Sequence, residues 1–166
     1  MSVHVSERTS DASAAPVFES GAVCRALAVA PGTFNNWIGG GLLPALSAAA
    51  QDTTHAPGYR VRHLTLLDAV TVALAKAFIL WGIHKRQAFG LAKVCATKFD
   101  EHRLNFRFVF IARPDIRHYE IAFSAGPNPP DRAWPHLAVD LEAITVDTVD
   151  ALKAERVTAE RRKAAA

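Results

Sequence analysis

Asn35 and Asn36 stand side by side in a short stretch, 31–38, that also holds Phe34 and Trp37. In a helix, Phe34 and Trp37 share one face, and the two asparagines take the opposite, exposed one. An asparagine amide carries a donor and an acceptor that match the major-groove edge of adenine. Such a contact is worth about 1–3 kcal/mol of discrimination. The plain alternative is a pair of solvated polar residues. Thr33 lies near the start of the same stretch, where free N–H groups and the helix dipole attract a phosphate. It can equally act as a local cap. Arg60, Arg62 and His63 sit on an alternating run, 60–63, of the kind an exposed two-stranded wing carries. Cations there would meet phosphates or a narrow minor groove; the alternative is a solvated hairpin, and Tyr59 beside them reads as packing. Lys85 and Arg86 follow His84 at the opening of a later helix. Positive charge opposes the dipole at that end, and a phosphate of flanking DNA would account for it; the alternative is an ordinary exposed turn.

Other chemistry finds less support. Nucleophilic catalysis needs a nucleophile, a base and an orienting group brought together, and the chain holds no GxSxG, HExxH, P-loop or GxGxxG pattern. Gly39-Gly40-Gly41 follows a helical stretch rather than a strand, which makes it a poor phosphate cradle. His118, Tyr119, Trp134 and His136 can converge, but nothing in their spacing requires it, and sheet surface and loop packing account for them. Cys24 and Cys95 lie in apolar helical contexts, where a free thiol behaves as a small buried hydrophobe. Seven scattered histidines and no CxxC give no zinc spacing. The expectation is no enzymatic activity, no cofactor and no metal.

The elements that must position these residues follow from composition and periodicity. The chain has 166 residues, half of them hydrophobic and 21% charged, enough apolar content to exclude disorder for the bulk. The net charge of +3 is unevenly spread. Residues 17–99 carry eight Lys and Arg against three Asp and Glu, which leans that half toward a polyanion. Residues 1–16 are Ser-, Thr- and Ala-rich and read as a disordered leader. Helices are expected at 19–27, with Val23, Cys24 and Leu27 inward, and at 31–38, with Pro31 in the first turn and the three glycines ending it. An exposed wing at 58–63 leads to a helix at 66–81 with Asp68 in its first turn. That helix is apolar nearly all round and buried; the apolar run 69–83 contains Lys76 and falls under the roughly 20 residues a membrane span needs. Gly82 ends it, and a fourth helix follows at 84–99. Composition changes near 100–103. Strands are expected at 104–111, 117–124 and 136–141, a Pro-rich loop at 126–135, and a helix at 146–163 capped by Thr145. Val146, Val149 and Leu152 form the inner face of that helix, and its basic tail is expected to fray. With no signal peptide, the expected location is the reducing cytoplasm, at the nucleoid.

Helix, tight turn, helix, wing, helix is the order of a winged helix-turn-helix. The run 27–44, LAVAPGTFNNWIGGGLLP, resembles the N-terminal signature of MerR-type DNA-binding domains, L-G-V-S-P-x-T-L-R-Y-W-E-R-x-G-L-L. Arg62-His63-Leu64-Thr65-Leu66-Leu67-Asp68-Ala69-Val70 is similar to that family's wing-to-helix junction, R-x-Y-S-x-x-D-V, and Trp81-Gly82-Ile83 to its helix break. The likeness covers about 17–98. Pro31, Thr33, Trp37, Gly41, Leu42, Leu43 and Asp68 match in order. Ala30 stands where the family has a serine cap, and Asn35-Asn36 where it has Arg-Tyr. The family's metal-binding cysteines and long coiled-coil helix have no counterpart.

The resulting expectation is an α+β protein: an N-terminal MerR-like winged helix-turn-helix (17–99), then a small antiparallel β-sheet with a C-terminal helix (104–163). The resemblance implies sequence-specific binding of double-stranded DNA and transcription regulation. The 31–38 helix would enter the major groove and the wing would grip the adjacent backbone. Thr33, Asn35, Asn36, Arg60, Arg62, His63, Lys85 and Arg86 are the candidate contacts. A homodimer through 104–163, along the hairpin edge near 104–124 or the helix near 146–157, would read two half-sites. RNA polymerase or another protein is the further partner class, and no membrane is involved. Three other readings stand beside this one. They are an architectural or accessory factor of a phage or mobile element, a protein-interaction adaptor built on a degenerate winged helix, and a small-molecule sensor with a pocket in the 104–142 sheet.

Overall fold

The computed structural model describes residues 17–43, 53–56, 59–102, 106–112, 119–127 and 136–165. The leader 1–16 and the loop positions 128–135, with Trp134, lie outside the described residues, as does His118.

The fold is α+β. The chain opens with a three-residue strand, β1 (Val17–Glu19), and passes directly into helix α1 (Ser20–Ala26). A tight turn leads to α2 (Pro31–Gly39), with Pro31 in the first turn, where its missing N–H costs nothing. Strands β2 (Thr53–Ala56) and β3 (Tyr59–Val61) form an antiparallel hairpin. The chain then turns back through β4 (His63–Thr65), which pairs antiparallel with β1, Phe18 opposite Leu64. Ser20 N–H extends that ladder, donating to Arg62 O at 2.7 Å. Of the exposed two-stranded wing expected at 58–63, Tyr59–Val61 belongs to the β2–β3 hairpin, while the chain breaks at Arg62 and His63 belongs to β4, paired with β1. β1 carries no sequence signal of its own, because three residues of strand are stabilised only by what they pair with.

Helix α3 (Leu66–Leu80) starts on a capping box. Asp68 N–H donates to Thr65 Oγ1 at 3.2 Å, and Asp68 Oδ2 accepts from Thr65 N–H at 2.9 Å and from the Thr65 hydroxyl at 2.7 Å. The N–H groups of Thr65 and Asp68 at the helix start are thereby satisfied. Val72, Leu74, Ala75 and Phe78 are buried along α3. Against it runs α4 (Lys85–Glu101), whose Ala88, Ala92, Cys95 and Ala96 are buried. These small side chains recur at three- and four-residue spacing, which lets the two helices approach closely.

Three helices end on the same device. After α1, α2 and α3 a residue with positive φ follows the cap: Ala28 (φ 48°), Gly41 (φ 68°) and Gly82 (φ 84°). The next amide reaches back five residues in each case. Val29 donates to Cys24 O at 2.8 Å, Leu42 to Trp37 O at 2.9 Å, and Ile83 to Phe78 O at 3.0 Å. This is the Schellman closure, with an apolar residue turned inward after it. Ala28 is the costly member, because an L side chain in the left-handed region loses about 1–2 kcal/mol. Ala28→Gly is expected to stabilise the protein by about 0.5–1 kcal/mol, net of the glycine's greater unfolded-state freedom. A denaturant midpoint that stays put or falls would contradict this.

Beyond α4 a three-stranded antiparallel sheet has the order β6 (Glu120–Ser124), β5 (Phe108–Ala112), β7 (His136–Asp140). Its register runs Phe110 opposite Ala122 on one side and opposite Ala138 on the other. β5 is thus the central strand, and among the described residues β6 and β7 are the sheet's outer strands. The last helix, α5 (Leu141–Ala164), begins five residues earlier than expected and stays helical through the basic tail, so neither the Thr145 cap nor the frayed end is observed. Asp140 is the cap, accepting from Ala143 N–H at 3.0 Å, while the Thr145 hydroxyl donates within the helix to Leu141 O. Leu141, Thr148 and Leu152 form the buried face, and Val146 is 50% exposed. α5 packs on α1 and α3, and Arg25 of α1 is ion-paired with Glu155. Val109, Ile111, Val139, Leu141 and Leu152 belong to one hydrophobic core with Val23, Phe34 and Phe78. The core therefore runs across the composition change at 100–103.

Arg107 bonds the cap itself, its Nη2 lying 2.7 Å from Asp140 Oδ2. This hydrogen bond from Arg107, with the backbone N–H groups at Ala143 and Glu142, holds the Asp140 carboxyl below its ordinary value against the opposing effect of burial. A carboxylate depressed in the folded state contributes stability that is complete above the unfolded value, about pH 4. That contribution is lost as pH falls through the folded value. Asp140→Asn keeps a good cap and removes the titration. The variant is expected to lose stability less steeply than the parent below about pH 4. Superimposable acid-unfolding curves would refute the assignment.

Candidate nucleic-acid interface

Helix α2 is held by two side chains and open on the other side. Phe34 is 2% exposed and Trp37 6%. The Trp37 indole stands edge-on to Phe89 of α4, ring centroids 5.2 Å apart and planes at 68°. At about 100° per residue, Gly32, Asn35, Asn36 and Gly39 fall on the opposite face, and all four are exposed. A Cβ added at Gly32 or Gly39 would meet nothing within 4 Å. The asparagines are therefore the only side chains projecting from an otherwise bare helix face.

The start of α2 has no side-chain cap, since Ala30 occupies that position. The first helical bond is Phe34 N–H to Ala30 O at 3.0 Å, which leaves the N–H groups of Gly32 and Thr33 pointing outward, as at any helix start. Thr33 is exposed, and among the described residues its hydroxyl has no hydrogen-bond partner, so the local-cap alternative is not the one observed.

The first turns of α4 lie beside the other end of α2. His84 is the α4 cap position with no side-chain bond, the first turn holds no acidic residue, and Lys85 and Arg86 are exposed. Neither cation has an ionic partner among the described residues. Arg86 precedes Phe89 by three residues and, with Gly41, Leu42 and Leu43, lines a cavity below the end of α2. The fold thus gathers Thr33, Asn35 and Asn36 on one helix and brings Arg86 beside that helix's end.

The wing residues separate. Arg60 lies on β3, and its side chain is outside the described residues. Arg62 sits at the break between β3 and β4, half-buried, with its carbonyl accepting from Ser20. His63 is half-buried in β4, opposite Glu19 of β1. Arg62 and His63 both have interactions within the protein, so they stand at the root of the hairpin rather than on a free wing.

Lys76 is a positioning residue that periodicity alone does not assign. Its Nζ donates to Leu27 O at 2.6 Å and lies 3.5 Å from Ala28 O. A cation on α3 thereby satisfies the carbonyls at the turn between α1 and α2 and fixes where α2 begins. The usable signal was one lysine inside an otherwise apolar helix.

Cys24 and Cys95 are buried and free. Burial pushes both thiols up, Cys95 to about 12, so neither supplies a thiolate near neutrality. Among the described residues no group of three His, Cys, Asp or Glu side chains is arranged to hold a metal, and no helix is long and apolar enough to cross a membrane. No protein-family model matches this chain, and no curated protein matches it.

Proposed function

We propose that this chain is a sequence-specific double-stranded DNA-binding protein of the MerR-like winged helix-turn-helix kind, acting in transcription regulation. One observation carries the reading. A short helix, anchored by Phe34 and Trp37, presents Asn35 and Asn36 on an exposed face that they share with Gly32 and Gly39. Glycines on that face let the helix sink close to the floor of a groove, where an asparagine can reach the N6 and N7 of an adenine. The open N–H groups of Gly32 and Thr33 suit a phosphate at the helix start. Lys85 and Arg86, at the start of α4, suit the phosphate backbone beside the groove. No enzymatic step, cofactor or metal enters this account.

One such module offers a small interface, so the proposal includes a homodimer reading two half-sites in the cytoplasm. Its contact would run along β6 or β7, which have no second strand partner among the described residues. A second reading, a protein-interaction adaptor, is favoured by the absence of any charged side chain from α2. An accessory factor of a mobile element would use the same face on phased sites.

Selection from a random duplex library at low and near-physiological salt tests the proposal. Enrichment of a short site that survives the higher salt supports a specific reader, and a palindromic site supports the dimer. Binding that is uniform across sequences and collapses with salt is electrostatics alone and would overturn it.

A further inference from the structure

Below the C-terminal turn of α2 lies a half-open cavity of about 420 Å³, within the range of small-molecule sites. Three separate segments build it. The turn after α2 contributes Leu42 and Leu43, the first turns of α3 contribute Leu67 and Thr71, and α4 contributes one stripe from Arg86 to Thr97. Leu42, Leu43, Leu67 and Phe89 make an apolar floor. Arg86 and Lys93, both exposed, stand on the α4 wall two turns apart, and neither has an ionic partner among the described residues. Among the described lining residues the one carboxylate, Asp68, is engaged by Thr65 in the α3 capping box. The Thr71 hydroxyl is likewise engaged, donating to Leu67 O at 2.8 Å.

Gly90 is the second observation. It sits inside α4 on the cavity wall, between the two cations. A glycine within a helix costs about 1 kcal/mol relative to alanine. Packing does not require it, since a Cβ built there would meet nothing within 4 Å. Its missing side chain keeps the cavity open between Arg86 and Lys93.

We infer that this cavity binds a small amphipathic organic anion, its carboxylate held by Arg86 and Lys93 and its apolar body laid on Leu42, Leu43, Leu67 and Phe89. An apolar floor under two cations with no ionic partner among the described residues favours such an anion over a neutral apolar ligand, which would leave the charges unused, and over inorganic phosphate, which would leave the floor wet. The expected sensor pocket in the 104–142 sheet is not this one; the cavity lies between α2, α3 and α4. The inference stands whether or not α2 reads DNA.

Titration calorimetry with phenylacetate and octanoate, each beside its neutral amide, tests it on the full chain. The carboxylates are expected to bind about tenfold or more tightly than the amides, the ratio one charge-assisted hydrogen bond supplies. Arg86→Gln with Lys93→Gln is expected to erase that ratio while leaving weak apolar binding. Gly90→Leu is expected to fill the cavity and abolish binding, with helix content and thermal midpoint retained or raised. Three results would overturn the inference. They are no binding of either carboxylate at millimolar concentration, equal binding of carboxylate and amide, and full binding by a folded Gly90→Leu variant.

Discussion

Replacing Trp37 with alanine is expected to cost about 3–5 kcal/mol of folding stability, the range for removing a large buried aromatic. Trp37 is 6% exposed and sits in the shared core. It also sets where α2 rests on α4, through the edge-on contact with Phe89. Such aromatic pairs add about 0.5–1.5 kcal/mol beyond burial. Trp37→Phe keeps an aromatic ring and should retain much of the stability. Denaturant titration of the three proteins separates the effects. A loss below about 1 kcal/mol for Trp37→Ala would mean α2 is not anchored as described, because such a loss is ordinary for a point substitution and far below the cavity range.

The second large effect concerns recognition. Asn35 and Asn36 are exposed and make no hydrogen bond to the rest of the chain among the described residues. Asn35→Ala and Asn36→Ala should each change stability by no more than about 0.5 kcal/mol. Against a selected duplex the asparagine that reads an adenine should lose roughly fivefold to a hundredfold in affinity, the equivalent of about 1–3 kcal/mol. Binding to unrelated duplex should stay the same, since no charge is removed. Equal losses on selected and unrelated duplex would point to a general change in the helix instead of a lost base contact.

The local layout was legible where a single residue type decides a conformation. Pro31 marks the start of α2, and Gly41 and Gly82 mark the ends of α2 and α3, because each suits a backbone that other residues avoid. The opposition of Asn35 and Asn36 to Phe34 and Trp37 followed from the helical period. Non-local pairing was not legible. Nothing in Val17–Glu19 announces a strand, since its stability comes from β4, more than forty residues later. The start of α5 is hidden in the sequence because His136–Leu141 alternates as a strand should, while Asp140 is at once the strand's last residue and the helix's cap. The hydrophobic pattern predicts an inner face through Val146, Val149 and Leu152, whereas the buried face runs through Leu141, Thr148 and Leu152. A buried threonine there was invisible to a hydrophobic count; its hydroxyl is satisfied by Ile144 O at 2.7 Å. The α2–α3–α4 cavity was equally hidden, because its walls come from segments with no sequence relation to one another.

The central claim is that α2 reads adenine edges through Asn35 and Asn36, and a binding cycle with a modified base tests it most directly. The selected duplex is prepared with 7-deazaadenine in place of adenine, which deletes the N7 acceptor and preserves Watson–Crick pairing. Parent and Asn35→Ala/Asn36→Ala proteins are titrated against both duplexes at near-physiological salt. The account predicts that the parent loses roughly fivefold or more on the modified duplex and that the double variant loses nothing further. If the parent is indifferent to the missing N7, or the two losses simply multiply, the asparagines do not contact those bases and α2 is not the reading helix.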